Sequence, residues 1–145
     1  MDREIVDSLL IAMLKTGDDV SDLLFITGDL PLVEIHGRLK RFSPNGSSSV
    51  LTPQYIQQLA DHIIGDNEKL EAEFAASGSC DCSYALENLA RFRVNIFKQN
   101  GRTAMVMRKL ESAVPTLEKL GLPPIFREII KELGHAFTKG IRTTK

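Results

Sequence analysis

The pattern of apolar and polar positions divides the chain into helical stretches at each end and in the middle, separated by stretches that alternate. Residues 3 to 15 (REIVDSLLIAMLK) set Ile5, Leu9, Ala12 and Met13 at helical spacing, and Gly17 supplies a stop. The pattern then changes. Leu23 to Ile26 is a compact apolar run closed by Gly28 and Asp29, and Val33 and Ile35 alternate with Glu34 and His36. This predicts two or three short strands, with a tight turn at Gly37 before Leu39 to Phe42. SPNGSSS, residues 43 to 49, has almost nothing to bury and reads as a mobile surface loop.

Thr52 before Pro53 is a helix start: a hydroxyl that can cap beside a proline whose missing N–H costs nothing in the first turn. Tyr55, Ile56, Leu59, Ala60 and Ile63 form its apolar stripe, and Gly65 ends it. Asp66, Lys69, Leu70 and Phe74 predict a second short helix before Gly78. From Ser79 the alternation of strands resumes, with Cys80 and Cys82 on one face and Asp81 and Ser83 on the other. In residues 91 to 110 Phe92, Val94 and Ile96 alternate with Arg91, Arg93 and Asn95, and Asn100-Gly101 is a strong two-residue hairpin signal. Residues 113 to 124 (AVPTLEKLGLPP) read as a connector with a short helical turn. Ile125 to Leu133 read as a helix with Ile125, Ile129, Ile130 and Leu133 inward, before a basic tail that frays.

Composition narrows what such a chain can be. With 145 residues, 43% hydrophobic and 26% charged, it has the make-up of a globular domain with one cooperative core. Its 18 basic and 19 acidic residues nearly cancel, so no global field draws it to nucleic acid or to an anionic membrane. The short basic groups, residues 38 to 41 and the tail, have no interleaved aromatic platform and read as solvated faces. The apolar runs are too short for a membrane helix, and the start MDREIVDSLL lacks the features of a signal peptide, so a cytoplasmic chain is expected. Cys80 and Cys82 are too close for a disulfide framework and have no second cluster at ligand spacing; His36, His62 and His135 are scattered. Buried thiols are the simpler reading, with no metal site. Met105 and Met107 suit a packed or docking face, and His62 a partly exposed helix position.

The hairpin carries the one pattern with chemistry in it. If Asn100 and Gly101 are the two turn residues, Gln99 faces Arg102 and Arg93 stands opposite Arg108. Opposed residues share a face with Cβ atoms about 5 Å apart, where like charges repel unless something offsets them. A phosphate would do so, because guanidinium groups donate paired, charge-assisted hydrogen bonds to its oxygens. The alternative is that both arginines spread into solvent or pair with acids of the same sheet, Glu34 and Asp81 being the candidates.

RFRVNIFKQNG, the preceding DCSYAL, the following MRKL and then VPTLEKLGLPP resemble the N-terminal domain of type IV pilus retraction ATPases, the twitching-motility members of the secretion-ATPase superfamily. VSDLLFITGDLPLVEIHGRL resembles the opening segment of the same domains, so the resemblance runs from about Ile5 to about Leu133. It implies an α+β fold with a PAS-like mixed or antiparallel sheet packed against helices in a single domain, residues 1 to 112. Residues 113 to 124 would be the connector, and residues 125 to 145 would lead toward a RecA-like ATPase domain. It also implies a ring of six subunits working with pilus base components, and assigns Arg93 and Arg108 to contact a nucleotide phosphate when domains close. ATP and magnesium would be bound only with the RecA-like domain, in the same chain or another. Leu24 stands where the family has histidine, Glu34 where it has arginine, and Cys82 where it has an aromatic residue.

No G-x-x-x-x-G-K-[ST] loop occurs in the sequence, and no acidic cluster or base is arranged for water activation, so hydrolysis by this chain alone is not expected. Three functions remain: a regulatory and subunit-contact domain of a pilus retraction ATPase, a stand-alone adaptor or inhibitor docking on such a ring, and a PAS-like sensor holding a small ligand in its core.

Overall fold

The computed structural model describes residues 1–111, 121, 123–125, 128, 129 and 131–133. Residues 1–112 and 113–145 are two compact units. The first opens with helix α1 (Arg3–Leu14) and a meander of strands β1 (Val20–Phe25), β2 (Leu32–Ile35) and β3 (Arg38–Arg41). A single 3-10 turn at Pro44–Gly46 leads to helices α2 (Pro53–Ile64) and α3 (Glu68–Ser77), then to strands β4 (Ser79–Leu86), β5 (Ala90–Gln99) and β6 (Arg102–Lys109). The strands form one six-stranded sheet in the order β3-β2-β1-β6-β5-β4. Every neighbouring pair is antiparallel, so two meanders meet where β1 pairs with β6. The result is an α+β fold with a sheet packed against helices.

Turn chemistry sets the strand registers. Asn100 and Gly101 take φ 52° and 76°, and His36 and Gly37 take φ 51° and 74°. Two successive left-handed residues are what a two-residue hairpin turn needs to match the twist of its strands, and Asn, His and Gly tolerate that region best. The helices begin and end on equally local signals. Thr52 Oγ1 accepts a hydrogen bond from the Tyr55 N–H (3.2 Å), and Asn67 Oδ1 accepts one from the Leu70 N–H (3.2 Å). Gly78 closes α3 in the left-handed conformation.

One face of the sheet carries the core. Cys82, Val94, Met107, Leu23 and Val33 form one row across β4, β5, β6, β1 and β2, and Cys80, Ile96, Met105 and Phe25 form the next. Ile56, Leu59, Ala60, Ile63 and Ile64 of α2 and Val6, Leu10 and Met13 of α1 belong to the same buried cluster. Each large side chain so buried contributes roughly 1.5–3 kcal/mol. Met105 and Met107 are fully buried, which makes them packing residues. Helix α1 turns out to be rotated from the expected phase: Val6, Leu10 and Met13 face inward, whereas Ile5 is exposed and Ala12 lies at the surface. Nearly the whole of this helix is apolar along two adjacent stripes, so periodicity alone left its phase ambiguous, and packing selected one.

Buried Asp7 resolves that phase. It sits on the inward side of α1, where its Oδ1 accepts a hydrogen bond from the Tyr84 hydroxyl on β4 and its Oδ2 accepts one from Arg3 Nε (3.5 Å). Burial, reinforced by the hydrogen bond to Asp7, pushes the Tyr84 phenol up to about 12. The thiols also rise, Cys82 to about 11 and Cys80 in the same direction, because burial disfavours the thiolate.

In the second unit the described residues include helical positions 125, 128, 129 and 131–133. Ile125, Ile129 and Leu133 are 63%, 44% and 64% exposed, which corrects the expectation that they point inward. Helical spacing specifies that these side chains share a stripe; whether anything covers it depends on a partner. Ile130, residues 112–120 and 122 of the connector region, and the tail from 134 lie outside the described residues. No helix among the described residues is long and apolar enough to cross a membrane.

Leu10→Ala should lower the unfolding free energy by about 2–5 kcal/mol and Ile5→Ala by no more than about 0.5 kcal/mol in urea titrations; the reverse order would restore the expected phase of α1. Because the folded-state pKa of Tyr84 is raised, its contribution to stability is complete below the ordinary tyrosine range and is lost as pH climbs from about 10 through about 12. Spectroscopic titration of the phenolate should show that late ionisation, and Tyr84→Phe should remove it.

Candidate functional site

The face of the sheet opposite the core is where the polar members of the alternating strands lie. On β5 the outward positions are Arg91, Arg93 and Asn95, flanked on either side by the buried Phe92, Val94 and Ile96. The hairpin has the register the two-residue turn requires: Gln99 pairs with Arg102, and Arg93 stands directly opposite Arg108. The next strand places Asp22 opposite Arg108, and the one beyond places Glu34 opposite Asp22. Arg93, Arg108, Asp22 and Glu34 therefore form a single row across four adjacent strands, two cations followed by two anions.

Arg108 Nε donates to Asp22 Oδ1 at 3.0 Å, joining β6 to β1. The pair is lopsided in burial, with the Asp22 side chain 6% exposed and that of Arg108 73% exposed. The Asp22 carboxylate thus lies at the base of the row, with the guanidinium above it and open to solvent. That hydrogen bond and the attached charge raise the Arg108 pKa further, with Glu34 adding to the effect, so the group is cationic at any working pH. The Nε–H is committed to Asp22, while the terminal Nη groups of Arg108 make no hydrogen bond within the described residues. Arg93 is exposed and forms no ion pair among the described residues.

Asp81, one of the two acids considered as partners for the arginines, instead accepts a hydrogen bond from Asn95 Nδ2 at 3.1 Å. Glu34 influences Arg108 through its charge without bonding to it. The actual partner, Asp22, was missed because it lies 86 positions from Arg108 and belongs to a strand whose pairing with β6 nothing local announces. A rule that acids falling beside arginines on an open face are partners could have found it only once the strand order was known.

Asp22, Asp81, Arg93, Asn95, Val106 and Arg108 line a depression of about 240 Å³. This is below the usual range of pockets for drug-sized ligands. Two carboxylates and two guanidiniums line it, so its charge is balanced, with Arg93 and the terminal nitrogens of Arg108 left without partners among the described residues. Among the described residues no group of three His, Cys, Asp or Glu side chains is placed to hold a metal ion. The segment 38 to 41, with three basic residues and Leu39, forms the edge strand β3 and is exposed throughout, and Arg41 is engaged with Asp29 (Nε to Oδ1, 2.9 Å), whose carboxyl it holds below the usual range.

A second polar cluster braces the tip of the hairpin. Lys98 Nζ donates to Thr103 Oγ1 (2.9 Å), the buried Thr103 hydroxyl donates to Gln57 Oε1 (2.6 Å), and Gln57 Nε2 donates to Asp61 Oδ1 (2.8 Å). Lys98 also lies over the Phe74 ring at 5.0 Å. These contacts tie α2 and α3 to the core side of the strands that carry the arginines, which rigidifies the platform from behind.

No protein-family model matches the chain. It is 31% identical over 124 residues to the type IV pilus ATPase PilU of Pseudomonas aeruginosa, an alignment covering 85% of this chain and 30% of that protein. It is 30% identical to the type IV pilus retraction ATPase PilT of the same organism, covering 86% of this chain and 34% of the relative. Its fold matches the crystal structure of the pilus retraction motor PilT with bound ADP at a TM-score of 0.69 and 27% identity, over 83% of this chain and 33% of that one. The chain is thus homologous, at low identity, to the pilus retraction and twitching ATPases, and spans about a third of the length of these relatives.

The lopsided burial of the ion pair predicts an asymmetry in stability. Arg108→Ala leaves a buried carboxylate without its partner and should cost about 1–3 kcal/mol in urea unfolding. Arg93→Ala removes an exposed side chain and a like-charge neighbour, and should change stability by less than about 0.5 kcal/mol in either direction.

Proposed function

We propose that this homologue of the pilus retraction ATPases is their regulatory and subunit-contact domain, bringing Arg93 and Arg108 to a nucleotide phosphate held by a separate RecA-like domain. The observation that supports this reading most directly is the register of the β5–β6 hairpin, which opposes the two arginines on an open face. Two guanidiniums side by side repel each other in the absence of an anion and bind one cooperatively in its presence. Asp22 prepares one of them: by engaging Nε it holds the Arg108 side chain against β1 and leaves the terminal nitrogens outward.

The chemistry this arrangement can perform is charge stabilisation. Arginines delivered from outside to a transferring phosphoryl group act on charge developing on its oxygens, and need no base or metal of their own. Hydrolysis, with its magnesium ion and attacking water, would belong to the partner domain. The PAS-like character of the sheet, assembly into a hexameric ring, action with pilus base components and a cytoplasmic setting belong to the same proposal.

A second reading, an adaptor or inhibitor docking on such an ATPase, is favoured by the exposed stripe of Ile125, Ile129 and Leu133 in the second unit. A sensor for a small ligand has less behind it. The apolar depression of about 250 Å³ lies among Leu9, Tyr55 and the 44–52 segment, beside α1 and α2 and away from the interior of the sheet.

The deciding measurement is ATP turnover by a RecA-like domain of a pilus retraction ATPase, joined to or mixed with this chain. Arg93→Ala and Arg108→Ala should each lower turnover by roughly tenfold or more, with ATP binding little changed. Turnover that responds to the chain but not to the arginine changes would support the adaptor reading instead. Turnover indifferent to the chain would overturn both.

A further inference from the structure

We propose that the open face of the sheet is a contact surface for a second copy of this chain, the two copies packing face to face about a two-fold axis that runs along the strands between β1 and β6. The order of charges across the face points to it. In the row Arg93, Arg108, Asp22, Glu34, the line between β6 and β1 separates two cations from two anions. A two-fold along that line keeps each row in place and reverses its order. Arg93 then faces Glu34 of the second copy and Arg108 faces its Asp22, so every charge in the row meets its opposite.

The neighbouring row repeats this order only at its ends and centre, since Arg41 also pairs with Asp29 and Asn95 would meet Leu32. It runs from Asp81 on β4 through Asn95, Val106, Leu24 and Leu32 to Arg41 on β3. Its ends are again opposite in sign, and at its centre the half-buried Val106 and Leu24 flank the axis. Reversal sets Asp81 against Arg41 and the apolar centre against itself. Isologous contacts of two-fold dimers require this kind of self-complementarity, in which residue i meets j and j meets i. Twisted sheets stacked about 10 Å apart accommodate it at a small angle between strand directions.

Two of the charges, Arg93 and Glu34, form no ion pair among the described residues of one chain, which is what makes them available to a second. Arg108 and Asp22 share one hydrogen bond, leaving the terminal nitrogens of Arg108 outward. Six strands at about 4.8 Å spacing give a contact only about 24 Å wide, at the small end of specific interfaces. The dimer is therefore a weak one, with a dissociation constant of roughly 10 μM to 1 mM. Self-association would cover the same two arginines and so exclude phosphate contact, but it is distinguished from it by its dependence on Glu34, which phosphate contact does not require.

Sedimentation equilibrium of the 145-residue chain over a range of concentrations tests it. A monomer–dimer equilibrium is expected, weakening as ionic strength rises from about 0.05 to about 0.5 M. Arg93→Glu alone and Glu34→Arg alone should each weaken it by roughly tenfold or more, because each sets like charges face to face. The double change Arg93→Glu with Glu34→Arg re-creates the facing pairs and should restore the dissociation constant to within about threefold of the original. Arg93→Gln and Glu34→Gln, which should weaken the dimer less but in the same direction, replace the reversals if circular dichroism shows either to disturb folding. A chain that stays monomeric up to about 1 mM at low salt overturns the idea. So does a dimer indifferent to both single changes, or a double variant as weak as the singles.

Discussion

Two residues in the left-handed region, Asn100 and Gly101, fix the register of the β5–β6 hairpin, and both the core and the charged face depend on that register. Side chains on a strand alternate with a period of two, so a slip of one position would turn Phe92, Val94, Ile96, Met105 and Met107 out of the core and bring the arginines into it. The two faces are thus specified together. Burial of the apolar set holds the arginines on the opposite side, and the turn decides which arginine meets which.

The β1–β6 pairing then joins the two meanders and places Asp22 beneath Arg108. A carboxylate so nearly buried is tolerated because the guanidinium caps it, and the arginine gains a fixed position in return. From the other side α2 and α3 brace the hairpin through Thr103, Gln57 and the Lys98 side chain over Phe74. On the open face Arg108 is therefore held in place, while Arg93 extends into solvent. The face is also balanced, with two cations beside two anions in one row, so a chain with a net charge of -1 still carries local charge of both signs on this face.

Much of the fold was legible because its signals are local. Thr52-Pro53, Gly78, Gly37 and Asn100-Gly101 act within a few residues of themselves, through caps and turn conformations, and the α2 stripe was read almost residue by residue, although His36, expected on the strand, joins Gly37 in the turn. The hairpin register, and with it the opposition of Arg93 and Arg108, came from the turn alone. The phase of α1 was not legible, since Leu9 and Leu10 or Ile5 and Val6 could equally have begun an apolar stripe, and the Asp7–Tyr84 hydrogen bond that distinguishes them spans 77 positions. Nor did the helical spacing of Ile125, Ile129 and Leu133 say whether that stripe is covered.

What the sequence by itself determined was the set of elements, their turns, and the pairing of residues joined by a short turn, because each of these is decided by the conformations of neighbouring residues. What only the tertiary structure decided was which strands from distant parts of the chain lie side by side. Asp22 became the partner of Arg108, Glu34 took its place at the end of the row, and the antisymmetry of the open face emerged, only when β1 and β6 paired at the middle of the sheet. Those contacts depend on burying the apolar face of the sheet beneath α1 and α2, a collective gain that no local segment encodes.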